Sequence, residues 1–109
     1  MQDSSTYGVV LVTVASPQQG EAIARTLLSE KLVACVNMLP VNSWYWWQDE
    51  IVSDREYQLI VKTDLNRFDE LADKIKALHS YEVPEIIAIP VVAGSRAYLD
   101  WLGKNLNRQ

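Results

Sequence analysis

The segment from Ala34 to Thr63 most constrains the fold of this chain, because it has the pattern of one very long β-hairpin. Its first arm ends at Trp47, its second arm begins at Ile51, and Gln48-Asp49-Glu50 forms a polar tip between them. About twelve paired residues at roughly 3.3 Å each would span about 40 Å. A compact chain of this length has a radius of gyration of only about 13 Å. The hairpin is therefore expected to project beyond its own domain.

Three of the four tryptophans, Trp44, Trp46 and Trp47, lie next to the tip of this hairpin. Aromatic side chains at a projecting sheet end leave a large apolar surface that something must cover. The simplest cover is another copy of the same chain. The hairpin alone therefore predicts a homo-oligomer.

Length and composition are typical of one globular domain, and we expect residues 1–109 to form a single unit. Ten basic and fourteen acidic residues give a net charge of −4, with no basic cluster, so nucleic acid is not an expected partner. No apolar run reaches the roughly 20 residues that span a bilayer, and no signal peptide is visible. The single cysteine excludes an internal disulfide. These features predict a cytoplasmic protein without membrane insertion.

The remaining elements follow from hydrophobic periodicity and from capping residues. A strand over Tyr7–Val14 comes first, and a helix capped by Ser16 and ending near Lys31 precedes the hairpin. After the hairpin, a second helix is opened by Asn66 and Asp69 and ends near His79. A strand over Glu85–Ala93, broken at Pro90, and a last helix opened by Gly94-Ser95 complete the order. Pro40, inside the first arm of the hairpin, cannot donate a ladder hydrogen bond and predicts a bulge or bend.

This order predicts an α+β fold: a ferredoxin-like βαββαβ sandwich with a C-terminal extra helix and a long hairpin between the second and third strands. The second arm of the hairpin alternates between two faces. Tyr57, Leu59, Val61 and Thr63 would lie beneath the helices, and Glu56, Gln58, Ile60 and Lys62 would point away from them. The second set is amphipathic, as expected of a sheet face that forms a subunit interface.

Five segments in their expected order resemble the CutA family of divalent-cation tolerance proteins. They are Ser29–Asn37, Ser43–Trp47, Glu56 with Leu59–Thr63, His79–Ile86 and Tyr98–Trp101. The resemblance implies a ferredoxin-like domain whose long hairpins interlock in a PII-like homotrimer. It also implies a role in tolerance of copper and other divalent metals, with Cu²⁺ or another divalent cation as the expected ligand.

The resemblance also bears on the metal ligands. Copper-binding members carry a cysteine in the first strand and two adjacent histidines before the Tyr-x-x-Pro-Glu motif. In this chain Val12 and Leu78 occupy two of these three places, which leaves His79. His79 is therefore one candidate metal ligand. Cys35 is the other, because copper(I) prefers its sulfur to any oxygen ligand. The alternatives are that His79 contacts carbonyls at a helix end and that Cys35 packs as a small apolar side chain.

A ligand cleft between subunits is the second candidate site, and it would be lined by Trp47, Glu56, Lys62, Tyr81 and Glu85. The charged members of this set are strand or strand-edge residues next to apolar ones. When another subunit covers such charges, they must pair or meet a ligand.

Three functional hypotheses follow. The first is a trimeric, metal-responsive tolerance protein. The second is a PII-like signalling scaffold that binds a small effector or a partner in its clefts, with no direct role for metal. The third is an enzyme with a shared site, which we do not expect because no phosphate-binding loop or nucleophile motif is present in the sequence.

Overall fold

A computed structural model describes residues 6–106 of the chain. It contains strands β1 (Tyr7–Val14), β2 (Cys35–Trp47), β3 (Glu50–Asp64) and β4 (Ile86–Pro90), and helices α1 (Pro17–Ser29), α2 (Phe68–Leu78) and α3 (Arg96–Lys104). A short 3-10 turn over Leu65–Arg67 precedes α2. The order of elements is the one predicted from the sequence.

The four strands form one antiparallel sheet in the order β2-β3-β1-β4. In this order β3 lies between the two strands of the β1-α1-β2 unit, and β1 lies between the two strands of the β3-α2-β4 unit. This interleaving is the split βαβ arrangement, so the ferredoxin-like α+β prediction is confirmed. The core lies between one sheet face and helices α1 and α2. Its fully buried members are Val10, Val12, Val14, Ile23, Leu27, Val33, Leu59, Val61, Leu71 and Ile75.

The opposite side of the sheet, which we call the open face, is covered only in part. Helix α3 packs on it at one end, where Leu99, Leu102 and Leu106 form a small apolar cluster with Tyr7 and Ala34. The sequence predicts α3 but not the place where it packs. Since α3 covers that end, the open face is left available at the other end, next to the hairpin tip.

Polar side chains begin the helices, largely as the sequence predicts. Ser16 Oγ accepts a hydrogen bond from the Gln19 N–H at 3.2 Å, and Ser95 Oγ accepts one from the Tyr98 N–H at 3.2 Å. The cap before α2 differs from the prediction. The side chain of Asp64, not that of Asn66, is the cap: it accepts a hydrogen bond from the Asn66 N–H at 2.9 Å. The 3-10 turn that leads into α2 therefore begins at Leu65, two residues before the position expected with Asn66 as the cap.

The hairpin closes in a two-residue turn. Gln48 and Asp49 have φ values of 50° and 66°, as a type I′ turn requires, and Glu50 already pairs with Trp47. Strand β1 pairs only with the part of β3 from Tyr57 onward. Residues 41–56 therefore project beyond the rest of the sheet, and we call them the overhang. The described chain measures 49 × 25 × 22 Å, which confirms the predicted projection.

The bulge predicted at Pro40 is absent. The pairing of β2 with β3 runs without a shift from Cys35 opposite Lys62 to Trp47 opposite Glu50, and Pro40 lies opposite Tyr57 within it. The reason is the position of β2 at an edge of the sheet, where one side of the strand has no ladder partner and proline is tolerated.

No helix in the part of the chain that the structure describes combines the length and the apolar character needed to cross a lipid bilayer.

Candidate functional site

A cleft of about 870 Å³ opens between the overhang and the loop that joins α2 to β4, residues 79–85. Strand β3 supplies Val52, Asp54 and Glu56 from the side that continues the open face, because alternate residues of a strand share a face. The rest of the lining comes from Thr13, Ser43, Tyr45, Trp46, Trp47, Tyr81, Glu82, Val83 and Glu85. Four of the residues predicted for a cleft between subunits, Trp47, Glu56, Tyr81 and Glu85, lie together in this cleft of a single chain.

Glu56 lies at the inner end of the cleft, where the overhang begins. The residue is only 7% exposed, and its Oε2 accepts a hydrogen bond from the Tyr81 hydroxyl at 2.6 Å. Burial of the ring raises the pKa of Tyr81 well above its usual value, and the hydrogen bond to the Glu56 carboxylate raises it further. The phenol therefore keeps its proton and stays a donor to Glu56.

A second tyrosine–carboxylate pair lies further out along the overhang. The Tyr45 hydroxyl donates a hydrogen bond to Asp54 Oδ2. The two residues are diagonal neighbours on one face, because Tyr45 lies opposite Val52 and Asp54 opposite Ser43. The hydrogen bond to Asp54 raises the pKa of Tyr45 from 10.0 to about 12.

Titration of tyrosinate absorbance tests this pairing. Because the pKa of Tyr45 is raised on folding, its hydrogen bond is fully present below pH 10 and is lost as the pH rises through about 12. We expect Tyr45→Phe to remove an absorbance component with a midpoint near 12. If the substitution removes a component that titrates near the ordinary tyrosine value of about 10, the pairing with Asp54 is wrong.

His79 holds the loop against the end of β1. Its Nε2 lies 2.7 Å from the Thr13 carbonyl oxygen, and its Nδ1 lies 3.0 Å from the Tyr81 N–H. A carbonyl only accepts and an N–H only donates, so Nε2 carries the proton and Nδ1 is the acceptor. Both ring nitrogens are thus engaged within the chain. A metal could bind His79 only after one of these hydrogen bonds had broken.

Glu85 is fixed by two neighbouring strands. The Thr13 hydroxyl donates to its Oε1, and Gln58 Nε2 lies 3.3 Å from the same oxygen. Gln58 Nε2 also donates to the Val12 carbonyl at 3.1 Å. These contacts join β1, β3 and the end of the loop, so the position of the Glu85 carboxylate in the cleft is well defined.

Lys62 lies outside the cleft of the single chain, and its place in a cleft between subunits stays a prediction. It lies six residues along β3 from Glu56, a separation of roughly 20 Å. Its Nζ is 5.7 Å from the centre of the Tyr98 ring on α3. Cys35 lies opposite Lys62, with its Sγ 3.9 Å from Asn37 Oδ1, and is half-buried. The two candidate metal ligands are therefore at separate places on the molecule: His79 at the end of β1 and Cys35 beside Lys62.

Comparison with known proteins assigns the chain to a family. Residues 8–105 match the family described as "CutA1 divalent ion tolerance protein". The chain belongs to the CutA family. That family is described by tolerance of divalent ions and is non-enzymatic, in agreement with the expectation from the sequence.

Relatives support the assignment over almost the whole chain. The CutA protein of Thermus thermophilus is 50% identical over 98 residues, which are 89% of this chain and 95% of that one. A rice relative named "Protein CutA 1, chloroplastic" is 45% identical over 93% of this chain, but the match spans only 57% of its own length.

Solved CutA structures have the same fold as this chain. The "Periplasmic divalent cation tolerance protein CutA" of Archaeoglobus fulgidus superposes with a TM-score of 0.90 at 40% identity, covering 93% of this chain and 99% of that one. The CutA1 structure from Oryza sativa gives a TM-score of 0.92 at 39% identity and covers 98% and 100%. Because the names of these relatives refer to different compartments, the cytoplasmic location stays a prediction for this chain.

The metal donors of this CutA chain do not converge. Among residues 6–106, no group of three or more His, Cys, Asp and Glu side chains is arranged to hold a metal ion. The carboxylates of the cleft are instead spread along it, and those of Asp54, Glu56 and Glu85 each accept a hydrogen bond from a hydroxyl group.

Sequence reasoning missed Tyr45, Asp54 and Val83 as cleft residues. The signal that could have found the first two is the alternation within the hairpin. Ser43, Tyr45 and Trp47 share a face with Val52, Asp54 and Glu56 once the two-residue turn sets the register. Val83 lies in the loop that the hydrogen bonds of His79 hold in place. The local sequence does not indicate where this loop lies.

Proposed function

We propose that this CutA protein supports divalent-cation tolerance as a homotrimer of the PII-like kind, in which each overhang is covered by neighbouring copies. The observation that carries the proposal is one apolar face of the overhang. Trp44, Trp46 and Ile51 share the strand face opposite to that of Tyr45 and Trp47, and they are 69%, 71% and 66% exposed. Of these three, only Trp46 also lines the cleft. Trp46 and Ile51 are direct cross-strand partners, so their surfaces form one patch.

A monomer is not expected to leave such a patch in water. One aromatic side chain buries roughly 150–250 Å² when it is covered. Two tryptophans and an isoleucine therefore approach the several hundred Å² that marks an interaction surface. No segment within residues 6–106 covers the patch, since these side chains stay exposed.

The open face supplies a second surface for association. Ile87 and Ile89 of β4 are about half exposed, and they lie next to Leu11 and Val9 of β1. Ile60 of β3 is on the other side of Leu11. This apolar band crosses the sheet between α3 and the cleft, as expected of a sheet face covered by another subunit.

Native mass spectrometry of the metal-free protein tests the assembly. We expect a dominant species at three times the chain mass of 12.4 kDa. A monomer at micromolar concentration would contradict the trimer and, with it, any site shared between subunits.

Copper binding is the finer part of the proposal, with Cys35 and His79 as its ligands. Cys35 is half-buried on the open face, and its sulfur is the donor that Cu(I) prefers. His79 can contribute only by releasing Thr13 or Tyr81, which favours weak binding.

Metal titration of the same assembly separates the two ligands. We expect saturable copper uptake that Cys35→Ser lowers about tenfold and His79→Ala lowers less, because a thiolate is the softer ligand. Gln18→Ala, at an exposed position on α1, is the control and should leave uptake unchanged. If wild type, Cys35→Ser, His79→Ala and the control variant all take up copper equally, neither Cys35 nor His79 is a copper ligand.

A specific observation favours the alternative function, a trimeric scaffold that binds an effector in its clefts. The cleft of about 870 Å³ has room for a small organic molecule, and its walls are mainly carboxylates and aromatic rings. Under this alternative Trp47, Glu56, Tyr81 and Glu85 bind the effector, and metal tolerance is an indirect result.

A further inference from the structure

We propose that the cleft between the overhang and residues 79–85 binds an aliphatic polyamine, a linear ligand with several ammonium groups joined by methylene chains. The inference deepens the effector-binding role proposed above and rests on it. The argument comes from the charge, the aromatic walls and the spacing of the cleft.

The charge of the cleft has one sign. Four of its lining residues carry carboxylates, Asp54, Glu56, Glu82 and Glu85, and none of the described residues that line it is basic. A cationic ligand therefore complements this surface.

Glu56 gives the strongest indication of a missing cation. Glu56 as a residue is more than nine-tenths buried, and the hydrogen bond described for its carboxylate comes from the neutral Tyr81 phenol. None of the ion pairs found within residues 6–106 includes Glu56. Within one chain, the described residues give this buried charge no counter-charge, and a cationic ligand would relieve that unfavourable state.

Aromatic rings give the cleft its second property. Tyr45, Trp46, Trp47 and Tyr81 line it together with the carboxylates. Ring faces attract ammonium groups, and they also contact the methylene chains between them. A site of carboxylates alone would suit a hydrated inorganic ion, whereas carboxylates alternating with rings suit an organic cation.

The spacing of the carboxylates argues for several charges on one ligand. Asp54 and Glu56 are two residues apart on the same strand face, a separation of roughly 7 Å. This is comparable to the distance between neighbouring nitrogens of spermidine. Because no three donors converge within the described residues, a single metal ion would not satisfy these groups.

Calorimetric titration with spermidine tests the proposal. We expect saturable binding that Glu56→Gln weakens about tenfold or more, because the substitution removes the charge. The amide can still accept from the Tyr81 hydroxyl. Asp54→Asn, at an exposed position where folding is not at risk, should weaken binding in the same direction. Asp73→Asn is the control, since it changes the net charge equally at an exposed site on α2.

Two results would overturn the proposal. One is the absence of saturable binding, or equal binding by wild type, Glu56→Gln, Asp54→Asn and Asp73→Asn. The other is full displacement of spermidine by Mg²⁺ at the same total charge, which would mean a general acidic surface. Native mass spectrometry counts subunits and bound spermidine separately. A trimer without spermidine contradicts only the ligand, and a spermidine-bound monomer contradicts only the assembly.

Discussion

Replacement of Trp44 by Asp should convert the proposed trimer into a monomer. Trp44 is 69% exposed on the apolar side of the overhang and does not line the cleft. Burial of a carboxylate in a subunit interface is strongly unfavourable without a counter-charge. Buried tryptophans are also frequent hot spots, each contributing about 2 kcal/mol or more. A threefold assembly suffers this loss once in every subunit.

The monomer produced in this way should keep its fold. The core between the sheet and helices α1 and α2 contains no residue of the overhang apart from contacts at its base. We therefore expect an unchanged far-ultraviolet circular dichroism spectrum together with one third of the native mass. Leu28→Asp is the matched control, because Leu28 is 40% exposed on α1, away from the overhang. Loss of the trimer in the control, or its persistence in Trp44→Asp, would show that the overhang does not hold the subunits together.

Truncation of Leu59 to Ala should have the largest effect on the stability of the single chain. Leu59 is fully buried at the centre of β3, opposite Val12. Its Cδ2 would lie 3.3 Å from a Cβ placed on Gly20, which shows how closely α1 packs over it. Leucine-to-alanine changes at such sites cost about 3–5 kcal/mol, because a cavity remains where the side chain was.

Urea unfolding measures this loss most clearly in the monomeric Trp44→Asp protein, because subunit association would otherwise add to the apparent stability. Leu28→Ala makes the same chemical change at a partly exposed position, and we expect it to cost about 1 kcal/mol or less. Similar losses for both substitutions would mean that Leu59 is not a central core residue.

Local signals in the sequence account for much of the fold. Ser16 and Ser95 were identifiable as helix caps because a cap needs only a hydroxyl and the N–H three residues later. The two faces of β3 follow from strict alternation, and Leu59 and Val61 are buried as predicted. The projection of the hairpin follows from a comparison of its length with the size of the domain.

Features that the sequence does not show depend on contacts between distant parts of the chain. Pro40 forms no bulge because β2 is an edge strand, and a local pattern does not show which strand lies at an edge. Lys62 shares a face with Glu56, yet α3 packs over that end of the sheet. The hydrogen bond of His79 joins residues 66 positions apart and decides where the loop lies. Its presence follows from the packed structure and not from any spacing.

The edge position of β2 has a consequence for the newly made chain. Its thirteen residues present one row of backbone N–H and C=O groups that no strand within residues 6–106 uses. The edge strand of another copy can pair with such a row through backbone hydrogen bonds, and repetition of this pairing leads to aggregation. Pro40 interrupts the row of donors near its middle. By withholding one backbone donor, Pro40 makes this edge a poorer template for the repeated addition of identical strands.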